Sequence, residues 1–162
     1  MASIKMKLEF DGLLEAIKAA GGNVERAALN AANECAKVVH DELASECSAS
    51  GVPSSVSSEI THGVNVTGGG NVYEIEAGWK KGSYDPQNPS AAYKAIFLNY
   101  GTARRSVKKR VHHDFNGNFV TLGPDRGAVA ARGFIQRAKK SAGKKVKKVQ
   151  KEALEKMLKE LT

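Results

Sequence analysis

Cysteine is scarce in this sequence, and long apolar runs are absent. The two cysteines, Cys35 and Cys47, stand twelve residues apart on a segment that reads as one helix, a separation of roughly 18 Å at about 1.5 Å per residue. That distance excludes a disulfide between them, so the chain has no disulfide framework and reads as one made in a reducing compartment. Both are expected to serve as small buried apolar side chains. No apolar stretch approaches the roughly 18 residues needed to span a bilayer. The opening MASIKMKLEF also lacks the apolar centre of a signal peptide. A soluble chain, cytosolic when made and without membrane contact, is expected.

Aromatic residues make up 6% of the chain, and none is interleaved among the lysines near its end. Readers of single-stranded nucleic acid use such rings as stacking platforms, and neither helix-turn-helix nor finger spacing is visible. Catalytic patterns are equally thin. TGGGNVY precedes a strand instead of opening a helix, so it matches neither glycine-rich phosphate-binding pattern. Glu74 and Glu76 alternate with Tyr73 and Ile75, which puts both on the solvated side of one strand. His112, His113 and Asp114 adjoin on an expected strand, where successive side chains point to opposite faces, and no Cys or Glu stands at ligand spacing. No metal, cofactor, small-molecule substrate or enzymatic activity is expected.

What the sequence does have is positive charge, unevenly placed. The 162 residues carry a formal net charge of +8. Residues 1–99 hold 8 Lys and Arg against 12 Asp and Glu, net −4, whereas residues 100–162 hold 17 against 5, net +12. The length suits a single domain, 1–162. The densest cluster, Arg104, Arg105, Lys108, Lys109 and Arg110, follows the apolar segment AYKAIFLNY. A second, KKSAGKKVKKVQK, runs from Lys139 to Lys151. Such a half attracts nucleic acid, an anionic membrane or an acidic protein surface; a solvated polar helix face is the plainer reading of the lysines.

Hydrophobic periodicity then lays out the elements. Ile4, Met6, Leu8 and Phe10 alternate with polar residues, as in a strand with one buried face. Asp11 is placed to cap a short helix through Leu13, Leu14 and Ile17 that stops at Gly21-Gly22. Asn23 opens a longer helix to about Ala49, with Val24, Ala28, Ala31, Cys35, Val38, Val39 and Leu43 on one side and alanines that permit close packing. Ser48 to Ser58 reads as punctuation. Ile60–Val66 and Val72–Trp79 read as a hairpin around TGGGN. Ser90 is placed to cap a short helix from Ala91 to about Asn99, which Gly101 ends. Asn116-Gly117 predicts a two-residue turn that sets His113 opposite Val120 and Val111 opposite Leu122, with Val111, His113, Phe115, Val120 and Leu122 on one face. The chain closes with a helix in two parts, Phe134 to about Ala142 and Lys144 to Leu161. The expected fold class is α+β: a small, mostly antiparallel sheet packed by a long helix from the N-terminal half and a C-terminal helix, with a protruding basic β-hairpin arm at 100–130.

Two stretches carry a resemblance. AAYKAIFLNYGTARR, with Tyr93, Phe97, Tyr100, Gly101 and Thr102, is followed about thirty residues later by RGFIQRAKKSA, with Ala131, Arg132, Phe134, Ile135 and Ala138. Together with the opening FDGLLEAI and its long alanine-rich helix, these are similar to the neck and tail-completion proteins of long-tailed bacteriophages, also called head–tail joining or minor tail components. Gly133 stands where that family often has proline, and the segment between the motifs is longer. The resemblance implies a structural virion protein, located at the neck and in the host cytoplasm during assembly. It would act as a homo-oligomeric ring around the DNA path, between the head connector or adaptor and the tail terminator or tail-tube proteins. Tyr100, Gly101, Thr102 and Phe134 would form a structural corner, with the Tyr100 ring packed under it. Arg104, Arg105, Lys108, Lys109, Arg110, His113, Phe115 and Val120 would form a partner-binding arm. Lys139, Lys140, Lys144, Lys145, Lys147 and Lys148 would face packaged DNA or an acidic surface. The alternatives are a basic, non-specific DNA-binding protein of nucleoid type and a tail-tube terminator.

Overall fold

The computed structural model describes residues 2–10, 12–67, 72–82, 88–102, 111–113, 119–121 and 128–161. The alternating N-terminal segment forms strand β1 (Ser3–Leu8), followed by helix α1 (Leu13–Ala19). Asp11, expected as the cap of α1, lies outside the described residues. Helix α2 (Val24–Ala49) begins at Asn23, whose side chain accepts a hydrogen bond from the Arg26 N–H. Pro53 opens a single turn, α3 (Ser54–Ser57), within the stretch read as punctuation. This turn is held by its packing: Val56 is buried, and its carbonyl accepts a 2.6 Å hydrogen bond from the Trp79 indole.

Strands β2 (Ile60–Thr67) and β3 (Val72–Trp79) pair antiparallel, and β1 pairs antiparallel with the other side of β3, giving the order β1-β3-β2. Register explains the two faces. Ile4, Ala77 and His62 share one rung and Met6, Ile75 and Val64 another; this side packs against the helices. The alternate rungs, Lys5–Glu76–Gly63 and Lys7–Glu74–Asn65, form the open face, where Lys5 lies 3.7 Å from Glu74 and 3.4 Å from Glu76. The two glutamates are thus on one strand face, beside a lysine.

Helix α4 (Ala91–Tyr100) follows. Its expected Ser90 cap is not made: the Ser90 side chain is turned onto the backbone of Gly82, and its Oγ is buried without a partner among the described residues. Strands β4 (Val111–His113) and β5 (Phe119–Thr121) pair antiparallel, but Val111 faces Thr121 and His112 faces Val120. This is one residue off the expected register. Five residues separate the innermost pair, His113 and Phe119, an odd number that a two-residue Asn116-Gly117 turn does not produce. The protrusion of the arm and its side chains fall outside the described residues.

Helix α5 (Phe134–Leu161) is one continuous helix of 28 residues, not two. Gly143 costs a helix interior only about 1 kcal/mol, and it is preceded by the buried Ala142 and followed by the buried Val146. Packing along the whole stripe outweighs that local cost. α2 covers β2 and β3, and α5 lies along α2 and reaches β1. Ala28, Ala32, Cys35, Ala36, Val39 and Leu43 of α2 meet Ile4, Ile75, Phe134, Ala138 and Val146 in the main core. Ile17, Ala27, Ala31, Ala153 and Leu154 close the α1 end. Both thiols are buried and free. Burial, and next the neighbouring Glu34 or Glu46 carboxylate, pushes Cys35 and Cys47 up to about 11, which keeps them protonated and unreactive. The α+β class and the two packing helices match the expectation.

Candidate assembly site: the Gly101 corner and the lysine face

The buried positions of α4 are Ala91, Ala95 and Asn99, four residues apart, so the helix presents one narrow stripe to the core. Tyr100 comes one position after the stripe, about 100° further round the helix, and is 58% exposed. The expectation that its ring packs beneath the corner is therefore overturned. Asn99, which sequence reasoning passed over, takes the inner place. Its Oδ1 accepts from the Ile135 N–H at 2.8 Å and its carbonyl accepts from the Gly133 N–H at 3.0 Å. Those are donors at the start of α5 that have no partner within the helix. The Asn99 Nδ2 is buried with no partner among the described residues.

Gly101 ends α4 at φ 74°, ψ −179°, a region essentially restricted to glycine. A Cβ there would also lie 2.6 Å from the Val129 carbonyl oxygen, so both conformation and space demand glycine. Thr102 then forms a reciprocal pair with Val129: the Thr102 N–H donates to the Val129 carbonyl at 2.9 Å, and the Val129 N–H donates to the Thr102 Oγ1 at 3.0 Å. Phe134 is fully buried with its ring edge-on to Trp79 at 6.2 Å. Gly101, Thr102 and Phe134 thus sit in one anchored junction. Gly133 has φ 60° and donates its N–H to Asn99; a proline, noted above as common at this place in the proteins the sequence resembles, can do neither.

The arginines beside this corner turn toward the end of α2. Arg132 donates to the carbonyls of Ser50 and Gly51 at 3.0 and 2.7 Å, just beyond the end of α2. Arg137 donates to Glu46 at 2.9 Å, to the Ser50 hydroxyl at 2.6 Å and to the Arg132 carbonyl at 2.5 Å. α2 has no basic residue in its last turn, and these two guanidinium groups supply the positive charge that a helix C-terminus favours.

The lysines of α5 divide into two groups. Lys145 is bound to Glu42 of α2, which also accepts from the Ser141 hydroxyl. These two hydrogen bonds, Lys145 first, hold the Glu42 carboxyl below its ordinary value. Lys148 lies 3.7 Å from Glu152 one turn on, a solvated pair. Lys139, Lys140, Lys144 and Lys147 are exposed and form no ion pair with any described residue. Lys140, Lys144, Lys147, Lys148 and Lys151 are spaced four, three, one and three residues apart, which aligns them along one side of the helix. Arg104, Arg105, Lys108, Lys109, Arg110 and Phe115 lie outside the described residues; for His113 and Val120, the backbone register above is what the structure describes.

Among the described residues, no group of three His, Cys, Asp or Glu side chains is placed to hold a metal ion, and no helix is long and apolar enough to cross a membrane. Comparison with protein-family models, with curated proteins and with solved structures gives no match for the chain.

Proposed function

We propose that this chain is a non-enzymatic structural subunit of a tailed-phage particle, a neck or tail-completion component that joins the head connector to the tail. The observation that carries this reading is the Thr102–Val129 pair. It ties together both roots of the segment that holds Arg104 to Arg110, and Gly101 and Asn99 fix that junction to the core. A basic segment with a rigid base is suited to docking on an acidic surface of a connector, tail terminator or neighbouring subunit. The subunit would work as an oligomer around the DNA path, in the virion and, during assembly, in the host cytoplasm. A tail-tube terminator is the related variant of this reading.

Lys139, Lys140, Lys144 and Lys147, which form no ion pair among the described residues, favour one second reading, a basic protein that binds duplex DNA without base readout. The two differ in salt response: a DNA binder loses affinity steeply as salt rises, and a joining subunit has weak DNA affinity throughout. The deciding experiment is electron microscopy of particles assembled with and without this protein. Filled heads beside finished, unattached tails in its absence are the expected result. Normally joined particles would overturn the head–tail reading.

A further inference from the structure

Among the described residues, the sheet order β1-β3-β2 leaves two edges, and they differ. The β2 edge, Ile60–Thr67, runs for eight residues without a charge or a proline. Soluble proteins commonly blunt an open edge with such residues, because its unpaired backbone groups otherwise pair with another strand. Val66 and Leu29, 47% and 41% exposed, stand beside this edge and, with Tyr73, line one shallow groove whose far wall is Asn23, Glu25 and Arg26. The β1 edge carries Lys5 and Lys7, and α5 stands over it, with Gln150 donating to the Glu9 carbonyl.

From these observations we infer that the β2 edge is a self-association surface, on which a second copy of this chain adds its own β2 antiparallel to make a six-stranded sheet. α2 covers β2 and β3, so its axis lies about half a strand spacing inside the edge. Two copies joined at roughly 4.8 Å between strands then bring their α2 helices about 10 Å apart, a distance at which helices pack. The α2 side next to this edge offers Leu29, Asn33, Lys37, His40 and Ala44.

The edge is also self-complementary end to end. Leu29 and Val66 supply the apolar wall of one groove at one end, and the rings of His40 and His62 meet at 5.0 Å at the other. A two-fold axis through Val64 sets Val66 of each copy opposite His62 of the other, so each apolar wall is covered by a ring pair. The β1 edge does not fit the same partner, since a strand arriving with its own α2 would meet α5. The contact is isologous and closes after two copies. It rests on the sheet edge and the α2 side beside it, independently of the head–tail reading.

Sedimentation equilibrium of the full chain at high micromolar concentration tests this, beside the paired variant Gly63→Lys with Asn65→Lys. Both positions are on the open face, opposite Glu76 and Glu74, and a Cβ at Gly63 meets no atom within 4 Å. The new lysines therefore gain cross-strand partners within the subunit while facing each other across the two-fold contact. The expected result is a twofold mass for the wild type, or a larger particle built of such pairs. The variant is expected to show half that mass with an unchanged or higher melting temperature. Leu29→Arg, which keeps the strand intact, breaks the apolar wall and is expected to weaken the association at least tenfold. A monomeric wild type overturns the inference, and so does an assembly whose mass the paired substitution leaves unchanged.

Discussion

Positive charge at the start of α5 and positive charge along it look alike in sequence and do opposite things. Arg132 and Arg137 bend back to the end of α2, where their donors are occupied by carbonyls, a carboxylate and a hydroxyl. Lys140, Lys144 and Lys147 point to solvent and meet no carboxylate among the described residues. The planar guanidinium holds several acceptors in fixed directions, whereas the ammonium is a point charge on a flexible stem. A basic stretch is therefore not one surface. Here Arg132, Arg137 and Lys145 belong to the fold, and Lys140, Lys144 and Lys147 are available to a partner.

The sharpest way to break that division is to disturb the junction on which the arginines depend. Gly101→Val should cost about 3 kcal/mol or more, from a forbidden backbone region and from contact with the Val129 carbonyl, read as a lower urea midpoint with an unchanged slope. A midpoint within error of wild type would show that the corner relaxes freely. Arg132→Ala and Arg137→Ala should each lose about 1–2 kcal/mol, by removing hydrogen bonds from a charged donor and the charge at the helix end. Thermal melts monitored by circular dichroism would measure this. If they matched the lysine variants, the contrast would collapse.

Next comes Glu42→Gln, which should lose about 1 kcal/mol at neutral pH. The sign of its pH dependence is fixed by the lowered carboxyl. The stabilisation is present above the ordinary Glu value of 4.5 and disappears as pH falls through the lower folded value. Wild type and variant should therefore converge in acid urea titrations. Smallest in stability is the combined change of Lys140, Lys144 and Lys147 to Gln, expected within about 0.5 kcal/mol of wild type. The same variant should lower the salt slope of any duplex-DNA binding by up to about 0.9 for each phosphate that is no longer neutralised.

Much of the architecture was legible in the sequence. β1 announced itself by strict alternation, and α2 by alanines and β-branched residues recurring at three and four positions, because in both one face is buried along the whole length. The junction was legible in part. Gly101 has a local reason for being glycine, but Asn99 has none: its partners begin thirty-four residues later, at Gly133. A signal existed in the spacing Ala91, Ala95, Asn99, which continues the buried stripe and leaves Tyr100 outside it. Arg132 and Arg137 reach groups more than eighty residues upstream, a pairing that no local pattern encodes. The α3 turn and the unbroken α5 were missed for one reason: proline at Pro53 and glycine at Gly143 signal breaks locally, and the packing of Val56, Ala142 and Val146 overrides them.

The contact between α2 and α5 sets a delay on the ribosome. The alanine side of α2 is complete once residue 49 has been made, yet the surface that covers it is drawn from Phe134 to Leu161, and the Cys35 thiol waits for the Val146 carbonyl 111 residues on. At roughly 5–20 residues per second, that interval lasts on the order of 6–20 s. Once Trp79 has been made, a finished three-stranded sheet carries a helix with one bare flank for the rest of that interval. The nascent chain must therefore wait for its last helix before folding can finish, and a chaperone that shelters exposed alanine and valine has that window in which to act.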